Sequence, residues 1–226
     1  MALYRRVIVD NNDKLDALIN EVARGEGWLA FDTETTGLNV KGGDRIVSFA
    51  GIKINSLELS KEVYDQLIDP ERDLPLASSK IHGIFPWDLE GKPKIREVEH
   101  EISKFISTST IVGHNVQFDQ DCVVATMPMS ELALKFKTNP VLDTFSLSIS
   151  LFPELESYEL SDLCNKFKIK PEPRHTALGD SIMAAKLLII LLNKALEKGA
   201  KSVYDLNKIM KQSYAISKHL KEKRHF

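Results

Sequence analysis

The sequence predicts an α/β protein in which helices flank a mixed β-sheet. Short apolar runs typical of strands cluster in the first third of the chain, and amphipathic segments of helical length then alternate with further short runs. The 226 residues are 43% hydrophobic and 27% charged, which is ordinary for a globular protein with a buried core.

The predicted strands are rich in β-branched and apolar residues and are bounded by turn residues such as the "VKGGD" that precedes "RIVSF". In chain order they are residues 5–10, 28–35, 45–54, 61–69, 110–115 and the beginning of 140–148. Apolar positions at helical spacing predict helices over residues 11–25, 96–106, 118–127, 158–169, 177–196 and 203–220. The segment from Pro70 to Pro93 is rich in Pro, Gly and Ser, and we expect a loop there.

Charge is unevenly distributed along the chain. The net charge is −2, yet residues 198–226 contain eight lysine or arginine residues and two acids, a net charge of +6 that leaves −8 for the first 197 residues. A basic C-terminal tail on an acidic body fits an anionic partner, and it fits a solvated terminal helix equally well.

Cysteine usage and hydropathy favour a cytoplasmic protein without a membrane segment. Cys122 and Cys164 are far apart and have no metal-like spacing, so a disulfide framework is not expected. The most apolar stretch, "AAKLLIILL", is nine residues long and includes Lys186, which is too short to span a bilayer.

Two acids follow the apolar run "GWLAF" in the segment "FDTETTG". Because side chains alternate across a strand, Asp32 and Glu34 should share one face, with Thr33 on the other. Neighbouring carboxylates repel each other, and a hard divalent cation such as Mg²⁺ or Mn²⁺ would relieve that repulsion. A solvated pair of acids at an exposed strand end remains the alternative.

Two further segments offer acids and a histidine. In "GHNVQFDQD", Asp119 lies in the first turns of a predicted helix, where the helix dipole alone would favour an acid, and Asp121 is a rival for any ligand role. In "RHTALGDS", His175 and Asp180 are about 140° apart on a helix, so one site could use both only if His175 lies on the preceding loop. A surface-loop histidine and an ordinary first-turn acid are the alternatives.

Taken in order, "FDTETTG", "HNVQFD" and "HTALGD" resemble the three motifs of the DEDDh 3′–5′ exonuclease superfamily. The segment "IHGI", residues 81–84, is similar to a loop motif of the branch that contains the proofreading epsilon subunit of bacterial DNA polymerase III. The resemblance covers residues 25–195 and not the basic tail. It implies a ribonuclease-H-like sheet, with an exonuclease domain over residues 1–199 and a helical tail over residues 200–226.

The resemblance also implies the chemistry. Asp32, Glu34, Asp119 and Asp180 would hold two divalent cations, Mg²⁺ or Mn²⁺, that stabilise the attacking and leaving oxygens. His175 would take the proton from the attacking water, because histidine side chains titrate near neutral pH. The product would be a nucleoside 5′-monophosphate from a DNA 3′ end.

Substrate contacts follow from the same motifs. The implied substrate-binding residues are Thr33, Thr35, Thr36, Gly37, His82, Asn115 and Phe118, although for Phe118 a place in the core is the stronger interpretation. The expected partners are single-stranded or frayed DNA 3′ ends and, through the tail, a DNA polymerase subunit or clamp. An RNA-directed exoribonuclease and a catalytically inert replisome-binding module are the alternative functions.

Overall fold

The computed structural model describes residues 27–55, 57–173 and 175–223, and its centre is a five-stranded mixed sheet. The strand order is β3-β2-β1-β4-β5. Its strands are β1 (Trp28–Thr35), β2 (Ile46–Asn55), β3 (Glu58–Leu67), β4 (Thr110–Gly113) and β5 (Val141–Asp143). Strands β1, β2 and β3 form an antiparallel meander, whereas β4 and β5 join the other side of β1 as parallel strands.

Helices cover both faces of the sheet. They are α1 (Leu76–His82), α2 (Ile95–Ile106), α3 (Val116–Thr126), α4 (Glu131–Thr138), α5 (Thr144–Leu151), α6 (Leu160–Lys166), α7 (Ala177–Glu197) and α8 (Val203–Lys223). Two short 3₁₀ helices, Val40–Gly42 and Pro86–Asp88, lie in the connections.

Strand β1 divides the core into two halves because its side chains alternate between the two faces of the sheet. Trp28 and Ala30 pack with residues of α5, α6 and α7. Leu29 and Phe31 pack with residues of α2, α3 and α4 on the opposite face. Since β1 is hydrogen-bonded on both edges and covered on both faces, its backbone is a rigid base for the polar residues that follow.

The predicted α/β class is confirmed, and most predicted elements are present. The prediction of a loop from Pro70 to Pro93 is wrong, because α1 and the second 3₁₀ helix form within it. Helix α4 was not predicted either. The expected strand at residues 5–10 and helix at 11–25 lie outside the described residues. No helix in the described part of the chain is long and apolar enough to cross a membrane.

The C-terminal helix begins inside the folded body. Leu206 of α8 is fully buried together with Ala200, and Met210 packs against the same cluster of α5–α7 side chains. The Sδ atom of Met210 also accepts a 3.4 Å hydrogen bond from the backbone N–H of Asp143. The residues on the outer side of α8, including Tyr204 and Tyr214, are exposed.

We expect the Leu206→Ala substitution to lower the free energy of unfolding by about 2–5 kcal/mol, because it leaves a cavity where a large side chain is fully buried. Tyr204→Ala is the matched control, since Tyr204 is 75% exposed on the same helix, and it should change stability by about 0.5 kcal/mol or less. Urea unfolding of both variants measures the difference. Equal effects would show that α8 does not contribute to the core.

Candidate active site

Three carboxylates meet at the end of β1. Asp32 and Glu34 of β1 and Asp180 of α7 each offer an oxygen, and these oxygens all lie within 4.8 Å of one another. Asp32 and Glu34 are half-buried and Asp180 is 9% exposed. Among the described residues, no other group of three or more acidic, histidine or cysteine side chains lies close enough to share a cation. Asp119 and His175 are not members of this group.

The start of α7 fixes the third acid. The Thr176 hydroxyl accepts a 3.1 Å hydrogen bond from the Gly179 backbone N–H and caps the helix, which places Asp180 in its first turn. A Cβ atom on Gly179 would collide with the backbone carbonyl of Pro173, so glycine lets the preceding loop pack directly on the helix. The packing of Pro173 on Gly179 and the Thr176 cap together determine where Asp180 lies.

His175 lies in the turn immediately before this cap. Its side chain is exposed, and its backbone has a φ of 55°, in the left-handed region that few residues other than glycine adopt. The turn places His175 on a loop and Asp180 on a helix, the arrangement in which both can serve one site.

Asp119 belongs to the opposite face of β1. Its Oδ1 atom accepts hydrogen bonds from the Thr33 hydroxyl at 2.6 Å and from the Thr33 backbone N–H at 3.1 Å. Burial raises the pKa of Asp119 to about 7, and the two bonds from Thr33 act in the other direction. Asp121, the rival acid, is exposed and accepts a bond from Gln117, so the geometry favours Asp119 for any role beside β1.

The segment after the acids, Thr35–Gly37, which we call the threonine loop, is held from two sides. The Thr36 hydroxyl donates a 2.8 Å hydrogen bond to Asp44, and the Thr36 carbonyl accepts a 2.7 Å bond from the Ser78 hydroxyl of α1. The Thr35 hydroxyl donates to the Gly37 carbonyl at 2.8 Å. A Cβ atom on Gly37 would lie 2.5 Å from an Asp44 carboxylate oxygen, so only glycine fits there without displacing Asp44.

Asp44 and Ser78 support the site but were not predicted from the sequence. Asp44 also accepts a hydrogen bond from the Asn39 backbone N–H at 2.8 Å and pairs with Arg72 at 3.2 Å. Its place in "KGGD" marks a turn, but no local signal shows that it anchors the threonine loop eight residues earlier. Ser78 lies in the segment predicted to be loop.

His82 is at the end of α1, beside the threonine loop. Burial lowers the pKa of His82; a backbone interaction with Thr35 acts in the other direction, and a positive charge on the nearby His175 lowers the pKa further. Its Nδ1 atom accepts a 3.1 Å hydrogen bond from the Ile84 backbone N–H. The "IHGI" segment therefore folds back on itself next to Thr35 and His175.

Asn115 and Phe118 flank the start of α3. Asn115 is exposed with a left-handed backbone, φ 63°, and its N–H donates a 2.8 Å bond to Asp143. Asp143 also caps α5 through the Ser146 backbone N–H at 3.1 Å, which explains it as a structural residue. Phe118 is partly buried against the α2–α4 side of the core, as the core interpretation expects.

The donor set of the three-carboxylate group consists of oxygen atoms alone. Carboxylate oxygens are the preferred protein ligands of hard divalent cations such as Mg²⁺ and Mn²⁺. Three carboxylates this close also repel one another when ionised, and a cation between them would offset that repulsion. The residues present thus fit a divalent cation.

Comparison with known proteins adds independent information. The RNase_T family model, described as "Exonuclease", matches residues 29–188. A DNA polymerase III subunit epsilon-like protein of Rhodobacter capsulatus is 39% identical over 169 residues, 73% of this chain. The DNA polymerase III subunit epsilon of Rickettsia typhi is 33% identical over 168 residues, which cover 72% of each chain.

Coverage of the relatives varies widely. The chain spans 23% of the length of the Rhodobacter capsulatus protein and 13–14% of the PolC-type DNA polymerase III proteins of Bacillus subtilis and Bacillus cereus. Among solved structures, E. coli Exonuclease I in complex with a dT13 oligonucleotide superposes with a TM-score of 0.65 at 20% identity. The superposition covers 76% of this chain and 42% of the Exonuclease I chain. This similarity confirms the ribonuclease-H-like fold expected from the sequence.

We expect Asp119→Ala to lower the free energy of unfolding by about 1–3 kcal/mol, because it leaves two buried Thr33 donors without their acceptor. Asp119→Asn should cost less, since the amide oxygen can still accept from Thr33. Urea unfolding with a chelator present compares the two variants without any contribution from metal binding. If alanine and asparagine proved equally harmless, the Thr33–Asp119 contact would not hold α3 to β1.

Proposed function

The chain belongs to the exonuclease family, and we propose that it is a metal-dependent 3′–5′ exonuclease that releases nucleoside 5′-monophosphates from DNA 3′ ends. The observation that supports this most directly is the group formed by Asp32, Glu34 and Asp180. The names of two relatives, a DNA polymerase III subunit epsilon-like protein and a DNA polymerase III subunit epsilon, favour DNA as the substrate and proofreading during replication as the role.

In this proposal Asp32, Glu34 and Asp180 would hold the cations. Two bound Mg²⁺ or Mn²⁺ ions supply charge stabilisation at the attacking and leaving oxygens of an in-line displacement. The three side chains sit on a strand and a helix, so they are positioned before substrate arrives. His175 accepts the proton of the attacking water, and its place on an exposed turn lets it approach a bound phosphodiester.

Asp119 has two candidate roles, which can be separated. We propose that it supports the second cation, and its bonds to Thr33 also make it the residue that orients β1 from the α3 side. Loss of activity in Asp119→Asn at nearly unchanged stability would indicate a role for the charge. Retained activity in that variant would leave only the positioning role.

We propose that the 3′-terminal nucleotide lies beside the threonine loop. We propose that Thr35, Thr36 and Gly37 border the terminal sugar, in a segment whose threonine hydroxyls and Thr36 backbone groups are already hydrogen-bonded within the protein. We also propose His82, Asn115 and Phe118 as further substrate contacts; Phe118 is partly buried against the core. For Thr33 we propose a role through Asp119, because its hydroxyl and backbone N–H both donate to that carboxylate.

The C-terminal helix is the proposed contact with a polymerase subunit or clamp. The chain resembles a segment of PolC-type polymerases and most of an epsilon subunit, so association with a polymerase fits the relatives. The outer side of α8 exposes Lys208, Lys211 and Tyr214, whereas Ala200 and Leu206 are core residues. We keep residues 200–226 as the proposed tail because of this contact role. Leu206 and Met210 of α8 nevertheless pack in the core of the exonuclease domain.

The exonuclease proposal predicts mononucleotide release from the 3′ end of single-stranded DNA that requires Mg²⁺ or Mn²⁺. Asp32→Ala should lower kcat by about 10²–10³-fold or more, because it removes a carboxylate on which charge stabilisation depends. Asp121→Ala is the control, since Asp121 is an exposed acid bonded to Gln117. Chromatography of the products of end-labelled oligonucleotides measures both rate and polarity.

Two outcomes of this assay would contradict the proposal. Hydrolysis that survives unchanged in Asp32→Ala would locate the chemistry elsewhere. Faster turnover of a matched RNA oligonucleotide than of DNA would support the exoribonuclease alternative, and absence of turnover on any strand would support the inert binding module.

The tail proposal predicts that reversing the charge of Lys208 and Lys211 together weakens association with the replicative polymerase of the same organism. Lys137→Glu is the control, because Lys137 is an exposed lysine on α4. Point variants are preferable to truncation, since removing residues 200–226 would uncover the core around Leu206. Analytical ultracentrifugation of the purified mixture measures the complex. Equal effects of tail and control variants would count against the tail as the contact.

A further inference from the structure

Two aromatic rings are stacked on the surface just after α1. The rings of Phe85 and Trp87 are parallel, with centroids 4.6 Å apart and planes 3° apart. Trp87 is 65% exposed, although tryptophan is usually mostly buried. One ring face therefore rests on Phe85, and much of the rest of the indole is presented to solvent.

The turn that holds the pair is rigid. Asp88 accepts a 2.8 Å hydrogen bond from the Phe85 backbone N–H and donates its own N–H to the Phe85 carbonyl at 2.9 Å. Pro86 begins the 3₁₀ helix, and Leu89 anchors its end in a buried cluster with Val47 and Leu74. Such a turn holds an aromatic platform in place before any ligand binds, which lowers the entropy cost of stacking.

The platform is a short distance from the candidate active site. Helix α1 is bonded to the threonine loop through Ser78, and His82 and Ile84 line a cleft of about 450 Å³ together with Thr176 and Gly179. Trp87 is five residues after His82, so their Cα atoms are at most about 18 Å apart. With the terminal nucleotide at His82, as proposed above, about five stacked nucleotides at roughly 3.4 Å each would span that distance.

The described surface around Trp87 has no excess of positive charge that would attract a nucleic-acid strand. The exposed lysines near the turn, Lys80 and Lys92, are balanced by the neighbouring acids Asp88 and Glu90. A strand passing here would gain little from phosphate contacts, whereas base stacking on an aromatic ring needs no net charge and tolerates any base.

We propose that Trp87, supported by Phe85, stacks on an unpaired base of the substrate strand within about five nucleotides of its 3′ end. The inference rests on the proposed exonuclease function, and it identifies the substrate class as single-stranded or frayed ends. Within a duplex both faces of an interior base are already stacked on its neighbours, so the platform favours unpaired strands.

Tryptophan fluorescence tests the proposal. The full chain with Asp32→Ala is titrated with oligo(dT) of two to twelve nucleotides and with a blunt DNA hairpin. Trp28 is 2% exposed, so quenching by the oligonucleotides is expected to come from Trp87. Trp87→Ala should weaken binding of the longer single strands by about 5- to 150-fold, with a smaller effect on the dinucleotide and the hairpin.

Three comparisons make the result specific. Trp87→Phe should retain much of the affinity while losing the quenching, because a ring is kept. Met129→Ala, which removes another exposed apolar side chain, should bind like the parent. The dependence of binding on salt should keep the same slope in Trp87→Ala, since no phosphate contact is removed.

Several results would overturn the proposal: no quenching, unchanged affinity in Trp87→Ala, or an equal loss for dinucleotide and long strands. So would a loss confined to association with a polymerase, which would make the ring pair a protein contact. Failure of the exonuclease proposal is distinguishable, because it would appear as absent turnover in the unsubstituted chain while stacking on Trp87 could still be measured in Asp32→Ala.

Discussion

The two-residue alternation of side chains along β1 is the constraint on which the rest of the site depends. It directs Asp32 and Glu34 toward α7, where Asp180 completes the group, and it directs Thr33 toward α3, where Asp119 binds it. A shift of one residue in the pairing of β1 with β2 would exchange these faces. The register of β1 therefore positions both the three-carboxylate group and the Thr33–Asp119 contact.

The surrounding structure offsets the cost of collecting acids at the end of a buried strand. Apolar residues of β1 pack on both faces and hold the backbone positions from which Asp32 and Glu34 project. The Thr176 cap, together with the absence of a Cβ atom at Gly179, lets the preceding loop pack directly on the start of α7. Ser78 and Asp44 fix the threonine loop from the other side. The acids are thus preorganised for a cation.

Much of the fold and site follows from the sequence, for physical reasons. The strands at residues 28–35 and 46–55 and the long α7 have strong apolar patterns, and strand alternation alone places Asp32 beside Glu34. Helix α1 was missed because it is seven residues long, begins after Pro75 without a side-chain cap, and is stabilised by tertiary contacts such as Ser78–Thr36. The contact between Asp119 and Thr33 could not be predicted, since it depends on the face of the sheet against which α3 packs. The burial of Leu206 likewise depends on packing between segments distant in sequence.

We propose that Asp32, Glu34 and Asp180 form one cation site because β1 and α7 hold them together. Crystals of the full chain soaked in Mn²⁺ would test it directly through anomalous scattering from the metal. We expect an anomalous peak coordinated by carboxylate oxygens of all three residues, and we expect that peak to disappear in Asp32→Asn. A strong Mn²⁺ peak elsewhere, with none between these three carboxylates, would contradict it.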